Sequence, residues 1–476
     1  MVDVPFPMLT TPGRAPQAAG GRLINCYPET LPATAGKPYA YWRVPGLKSW
    51  GTTPGTNYRG ALVVGNTLYA VVNNTVYTFP LTGGAGSPLS GSVLGTVPVT
   101  MARNNRASPD IVIVSPGDGA FAIASGTSTV VSYSGIDIDV GQPNSVVFHK
   151  GFFIFTYGDG TTRSSDVNLL SINALNFATA ESKPDTLYRA IPLGNGQLLL
   201  CGSNSIEVWG GTVNDTGYPF SYIATIPRGI IGSNAIAGHD DGFGKGIFFV
   251  GDDNKVSTLT GYIPTPISVP DLDLLIEADA NKSAISVSVY VSQGHGTVTV
   301  KGTNWCWEYD TTLQSWHERR SYLQTFWRGM FPLLVANQWV CGDSLSGNLA
   351  VIDGLTRNEL GTPLRMRIET GPLGAFPNMV RINSIEMYLT KGIGVATGAD
   401  PVETDPEISI AVSRDGGQTW SGPRLVKVGR QALTNGRVRA SIWGQAQVQG
   451  VRWRFDESAG VNFGFMGADM KSETLR

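Results

Sequence analysis

The chain of 476 residues has little charge and no long amphipathic helical pattern. Only 15% of its residues are charged, whereas glycine reaches 59 and proline 29. Few charges combined with many turn formers mark an all-β protein built from many short strands. The nearest approach to a helix is the short stretch PDLDLLIEADAN, which ends at Asn281. No apolar run approaches the ~18–20 residues that span a bilayer. The first twenty residues lack a basic segment followed by an apolar one, so no signal peptide is expected. Cysteine is scarce: Cys26, Cys201, Cys306 and Cys341 lie far apart with no CxxC pair, which argues against a cysteine zinc site. Cys201 and Cys341 sit inside apolar strand patterns, where a thiol behaves as a small buried hydrophobe. A reduced cytoplasmic folding compartment is expected, with a Cys306–Cys341 bridge as the alternative.

Catalytic signatures are also missing. The four histidines, His149, His239, His295 and His317, form no HExxH and no Ser–His–Asp order with a nucleophile elbow. There is no phosphate-binding GxxxxGK[ST] loop. His239 precedes Asp240 and Asp241, but AGHDDGFGK reads as a solvated loop rather than a metal cluster. No catalytic residue, metal ligand or cofactor is assigned, and the chain is expected not to be an enzyme.

The formal net charge of −2 selects neither nucleic acid nor membrane. Its distribution is uneven. Residues 1–360 carry 21 Lys/Arg against 26 Asp/Glu, and residues 361–476 carry 14 against 11. The change of sign suggests a domain boundary near Gly361.

What the chain does have is a recurrence of short apolar runs ending in tight turns. GALVVGNTLYAVVNNTVYTF, HKGFFIFTYGDGT, NGQLLLCGSNSIEVWGGT, GKGIFFVGDDNKVSTLTG, VTVKGTNWCWEYDTTLQSW and NQWVCGDSLSGNLAVID each read as a two-stranded hairpin. Repetition of one small β unit predicts a β-propeller-like body over residues 46–360, with five to seven units. In WCWEYD and VCGD an aromatic or apolar strand ends on a turn aspartate, Asp310 or Asp343. The Asp can accept from turn amides while Trp and Tyr rings fill the wedge between sheets. Residues 1–45 are rich in Pro, Gly and Ala and read as an extended arm. Residues 361–476 follow a different pattern, in which PLRMRIETG, VRINSIEMYL, EISIAVSRDG and VQGVRWRFD alternate apolar and polar positions. That alternation predicts a β-sandwich-like module with one face of each strand buried.

The sharpest local motif is SRDGGQTW, with Ser413, Asp415, Gly417, Thr419 and Trp420 at the spacing of an Asp box. The Asp caps turn amides, glycine takes a positive φ, and the Trp packs beneath the hairpin. Asp boxes occur in sialidases and other propeller hydrolases, so a carbohydrate-active propeller, hydrolase or lectin, is the alternative reading. A sialidase also needs an arginine cluster with a Tyr–Glu pair. Arg319, Arg320, Arg328 and Glu207 are candidates but do not fall into such a pattern, and the box reads as a turn device. The second feature is a basic stretch. Arg424, Lys427, Arg430, Arg437, Arg439, Arg452 and Arg454 lie in a segment with no acid between Asp415 and Asp456. Arg437 and Arg439, like Arg452 and Arg454, are two apart, so each pair projects from one strand face. Either this is a solvated strand face, or Arg430, Arg437, Arg439, Arg452 and Arg454 contact an acidic partner or DNA phosphates.

Several passages together resemble one family, the packaged-DNA stabilisation (tail accessory or hub) proteins of P22-like short-tailed phages. They are RLINCYPET (Arg22–Thr30, with Asn25 and Glu29), VPGLKSW, SNSIEVWGGT, PRGIIGSNAIA, CGDSLSGNLAVID and the late VGRQ…RVRASIW…VRWRF run, in the same order. The resemblance implies a non-enzymatic structural protein of the virion tail, assembled in the host cytoplasm. It implies a ring of copies, a hexamer, below the portal and its head-to-tail adaptor. That ring extends and closes the DNA channel, with a tail needle and tailspike or fibre proteins attached, and double-stranded DNA passes through with weak, non-specific contacts. The arm is expected to clasp an adjacent subunit or ring.

Overall fold

The structure, a computed structural model, describes residues 2–133, 141–180, 182–211, 217–374 and 376–475. The chain forms two compact units. One comprises Ser49–Thr303 and Arg328–Ile352; the other comprises Met1–Lys48, Asn304–Trp327 and Asp353–Arg476.

In the first unit, seven strands among the described residues line one central cavity. They are Tyr58–Val64, Thr100–Arg103, Ser145–His149, Leu187–Pro192, Ile236–Ala237, Ser286–Ser292 and Gly329–Val335. Each leads outward into an antiparallel hairpin, and the first five head four-stranded sheets. This is a β-propeller with seven inner strands, the upper end of the five to seven units expected. The uninterrupted apolar runs have a geometric cause. On Thr67–Val72, Leu68, Ala70 and Val72 enter one core cluster while Val71 enters the next. On Gln197–Gly202, Leu198 and Leu200 pack towards one neighbouring sheet and Leu199 and Cys201 towards the other. On Ile111–Ser115, Ile111 and Ile113 face one wedge, Val112 and Val114 the opposite one. A strand buried on both faces has no polar side to show, so alternation vanishes from its sequence.

Turn aspartates fasten the sheets. Asp343 Oδ1 accepts from Leu345 N at 3.1 Å and from Arg328 Nε at 2.8 Å, while Oδ2 accepts from Arg328 Nη2 at 2.6 Å and from the Ser346 hydroxyl. Chain entry into the unit is sealed by Trp50, which packs among Tyr58, Phe79, Val340 and Leu349. Cys26, Cys201, Cys306 and Cys341 are all buried thiols. Burial pushes the Cys201 thiol up to about 12.

The second unit is a β-sandwich. One sheet contains Gly21–Ile24, Met366–Thr370, Arg452–Glu457, Glu407–Ser413 and Arg424–Lys427 in antiparallel neighbourhood, with Ser315–Glu318 added in parallel to Gly21–Ile24. The other runs through Cys26–Thr30, Tyr39–Arg43, Gly464–Leu475, Met379–Leu389 and Arg439–Ala446, and Val2–Asp3 pairs with Gly464–Leu475. Between them lies one core that includes Leu23, Ile368, Ile410, Trp453 and Phe455 from the first sheet and Tyr41, Ile382, Ile385, Trp443 and Phe465 from the second. The residues read as an extended arm therefore supply strands and core contacts to this unit. Phe6 lies against Phe465 at 4.9 Å and Phe455 at 5.7 Å between ring centroids. Trp305–Asp310 and Trp316, read as a propeller hairpin, also group with this unit. There Asp310 Oδ1 accepts from Thr312 N and Leu313 N.

Candidate functional site

The sheet Gly21–Ile24, Met366–Thr370, Arg452–Glu457 and Glu407–Ser413 turns its apolar positions inward, which forces the alternate positions onto its other face. Cross-strand register then builds a charge ladder. Arg22 stands opposite Glu369, and Glu369 opposite Arg454. In the next row Arg367 stands opposite Asp456. Arg367 makes a bidentate pair with Asp456 at 2.6 and 3.0 Å, and Arg22 does the same with Glu318 at 2.8 and 2.7 Å. Arg320 donates to Glu318 at 2.7 Å and Arg454 to Glu369 at 2.8 Å. Fork-to-carboxylate geometry makes these the strong kind of ion pair.

Arg452 is buried, with Nε donating to Thr370 O and Nη1 to Pro16 O, both at 2.9 Å. Its Nη2 lies 3.8 Å from Glu369. Burial pushes the Arg452 and Arg454 guanidinium groups below their ordinary pKa. The Asp box adjoins this ladder. Asp415 Oδ1 accepts from Ser413 Oγ at 2.7 Å and from Gln418 N and Thr419 N at 3.0 Å, and Thr419 Oγ1 donates to Oδ2 at 2.5 Å. Desolvation opposes ionisation of Asp415, but the hydrogen bonds from Thr419, Ser413 and Gln418 outweigh it and hold the carboxyl well below the usual range. Gly417 has φ +105°, and a Cβ there would come 2.7 Å from Arg452 Nη1. Trp420 receives Arg454 at 3.9 Å and Arg452 at 5.9 Å from its ring centroid. The box therefore makes a turn whose Trp stacks under two arginines.

The remaining basic residues behave differently. Arg430, Arg437 and Arg439 are exposed. Arg437 forms a bidentate pair with Glu386 at 2.8 and 2.9 Å, Arg439 donates to Ser384 Oγ at 3.0 Å, and Arg430 lies 3.5 Å from Asp405. Lys427 reaches Asp405 at 2.7 Å. Arg424 caps the carbonyls of Ser441 and Ile442 and lies 4.2 Å over the Trp443 ring. Exposed Leu425, Leu433 and Ile442 lie in the same segment, Ile442 at φ +65°.

The arginine and glutamate candidates weighed for a sialidase are occupied structurally. Arg319 is buried on Glu359 at 2.9 Å and Pro45 O at 2.8 Å, and Arg320 sits on Glu318. In the propeller Arg328 holds Asp343, and Glu207 accepts from Trp209 Nε1 and Ser182 N. His239 does not lie in a merely solvated loop. His239, Asp240 and Asp241 border the central cavity of about 280 Å³ together with Arg189. Burial depresses the His239 and Arg189 pKa values. Among the described residues no group of three or more His, Cys, Asp or Glu is arranged to hold a metal ion. No helix among them is long and apolar enough to cross a membrane.

The sequence pattern singles out Arg452 and Arg454 but not the rest of the ladder, Arg22, Arg367, Glu369 and Asp456. The signal was present as R-x-R-x-E in Arg365–Glu369 and R-x-R-x-D in Arg452–Asp456. Which alternating charges face each other depends on register, which no local pattern supplies.

The chain thus carries a β-propeller unit and a β-sandwich unit, with charged side chains tied into ladders and turns. The chain belongs to the bacteriophage P22 Gp10 family: the family's β-propeller model matches residues 22–357 and its β-sandwich model residues 368–471. It is thus a phage tail structural protein of the DNA-stabilisation type. No curated protein matches the chain. Similar solved structures include the WD40 β-propeller domain of Doa1 (12% identity, 64% of this chain and 95% of that one, TM-score 0.41). The computationally designed Ika8 protein is another (13%, 70% and 100%, 0.39). A third is PorZ of Porphyromonas gingivalis, a component of the type-IX secretion system (13%, 84% and 53%, 0.39).

Proposed function

We propose that this chain is the tail hub, or nozzle, of a short-tailed phage. Copies form a ring, a hexamer, below the portal and its head-to-tail adaptor. The ring extends the DNA channel and closes it after packaging, then permits ejection, and it carries the tail needle and the tailspike or fibre proteins. The observation that carries this reading is the collinear family match over both the propeller and the sandwich. The packing of the propeller unit supports it: a channel wall must resist load without rearranging, and interlocked sheets with both strand faces buried do so.

The exposed cations Arg430, Arg437 and Arg439 serve as contacts to an acidic neighbour or to passing DNA. A channel must not grip its genome, so a few weak phosphate contacts suffice. Pairing of Arg437 with Glu386 and of Arg430 with Asp405 supports that weakness, since each charge is already part-compensated. Mass measurement with negative-stain imaging of the purified protein, alone and with the portal–adaptor complex, tests the proposal. Rings that form alone or on the complex are expected; a strict monomer that ignores the complex would refute it.

A further inference from the structure

At one end of the charge ladder lies a hollow of about 170 Å³ lined by Ile24, Asn25, Arg320, Arg365, Arg367 and the turn Ser321–Gln324. At roughly 30 Å³ per water this admits five or six waters, or one short acidic side chain. Its lining contains three arginines and no carboxylate.

The arginines are not equivalent. Arg320 and Arg367 are tethered by Glu318 and Asp456. Arg365 is exposed, and its side chain makes no hydrogen bond or ion pair among the described residues. Around the hollow, Arg22, Arg320 and Arg367 pair closely with Glu318 and Asp456, and Glu369, 3.7 Å from Arg367, is shared with Arg454 at 2.8 Å and Arg452 at 3.8 Å, so arginines outnumber their carboxylates among the described residues. An excess of positive charge is therefore held at one place.

Its position is set by Asn25. That residue is buried, has φ +55°, and donates from Nδ2 to both Arg320 O and Arg365 O at 2.8 Å, while Arg320 N donates back to its Oδ1 at 2.8 Å. Asparagine tolerates the left-handed conformation and offers a donor and an acceptor together. It thus clamps the two arginine-bearing segments side by side. The rim is equally defined. A turn closed by Ser321 N to Phe326 O at 2.9 Å and Gln324 N to Ser321 O at 3.0 Å holds Leu323 at φ +56° with 83% of its surface exposed. Tyr322 beside it is 45% exposed.

We propose that this hollow is a receptor for an acidic side chain of a partner protein, with Arg365 as the primary ligand, Arg320 and Arg367 as flanking donors, and Leu323 and Tyr322 as the apolar anchor at its rim. Preformed arginine forks recognise carboxylates bidentately, and Arg and Tyr dominate the energetic centres of protein interfaces. A protein partner fits better than nucleic acid. Duplex DNA presents a continuous line of phosphates and needs cations spread along a track, whereas these converge on one hollow beside an exposed leucine. The inference stands on the chemistry of the hollow and does not depend on the ring.

The test is a titration of the full chain with a fluorescent peptide carrying Glu-Leu-Asp between glycines, with its Gln-Leu-Asn analogue, and with a 20-base-pair duplex. Saturable binding of the acidic peptide, at least tenfold weaker for the amide analogue, is expected. Arg365→Glu should abolish it, Arg365→Lys should retain part of it, and Leu323→Ala should weaken it severalfold. Circular dichroism and melting temperature of the Arg365 variants should match the parent, since that side chain makes no hydrogen bond or ion pair among the described residues. Equal binding of acid and amide peptides, no saturable binding at millimolar peptide, or full binding by Arg365→Glu would overturn the proposal. So would competition by the duplex together with loss of duplex binding in Arg365→Glu, which would make the hollow a phosphate site.

Discussion

At the scale of single residues, buried carboxylates such as Asp343 are held by an arginine fork and by turn donors. Desolvation works against ionisation of Asp343, but Arg328, Ser346 and Leu345 N more than offset it and hold the carboxyl below the usual range. A depressed carboxylate contributes stability that is fully present above the unfolded value near ~4 and is lost as pH falls through the lower folded value. Arg328→Ala leaves Asp343 buried without its countercharge and should cost about 3–5 kcal/mol at neutral pH. Asp343→Asn should destabilise at pH 7 and flatten the loss of stability between about pH 5 and 2. Denaturant unfolding of the propeller signal as a function of pH reads both. Asp415 is more accessible and works through hydrogen bonds rather than burial. Asp415→Ala should cost about 1–3 kcal/mol and release Trp420, seen as a change in its fluorescence. An unchanged melt and spectrum would mean the box does not hold its turn.

At the scale of elements, the two units use strands in opposite ways. A propeller strand buries both faces, so Leu199 and Leu200 serve different wedges although they are neighbours in sequence. Truncating either to Ala should cost about 2–5 kcal/mol, and hydrogen exchange should show protection lost in a different adjoining sheet for each. A sandwich strand buries one face and carries charge on the other. Glu369→Gln removes the countercharge of Arg454 and of buried Arg452, and should lower the midpoint of sandwich unfolding by several degrees, corresponding to about 3–5 kcal/mol. These contrasting uses explain how far the elements were legible in the sequence. Apolar runs between turns revealed the hairpins, and alternation revealed the sandwich. Pairing of Gly21–Ile24 with Met366–Thr370 joins residues more than three hundred positions apart, and no local signal announces it. The same holds for Trp305–Asp310, whose apolar pattern suits either unit.

For the whole molecule, the proposed hub places a premium on weak, exposed cations. Arg437→Glu with Arg439→Glu should impair tail assembly or genome retention while leaving the melting temperature within a degree or two, since both side chains are exposed. If filled particles retain DNA and assemble tails normally, neither the channel role nor the acidic-partner role of that face survives. Removing residues 1–20 is a different test. Phe6 packs in the sandwich core and Arg452 donates to Pro16 O, so truncation should destabilise the sandwich itself. A truncated chain that melts like the parent would show that these contacts contribute nothing.

Local pattern suffices to read the class of fold, turn-rich propeller hairpins with an alternating sandwich towards the C-terminal end, but not that residues 1–48 and 304–327 join the sandwich. Periodicity and turn chemistry are local, and local rules suffice to read them. The sequence also specifies that Asp415 caps a turn, since all its donors lie within four residues. Which charges meet is settled by the folded chain. Asn25 is an ordinary residue in RLINCYPET until the fold brings Arg320 and Arg365 to its side chain. Arg452 and Arg454 read as one basic face until register set Glu369 between them and Arg22. A charge acts through its distance to other charges, and across sheets that distance is set by the packing of the core beneath.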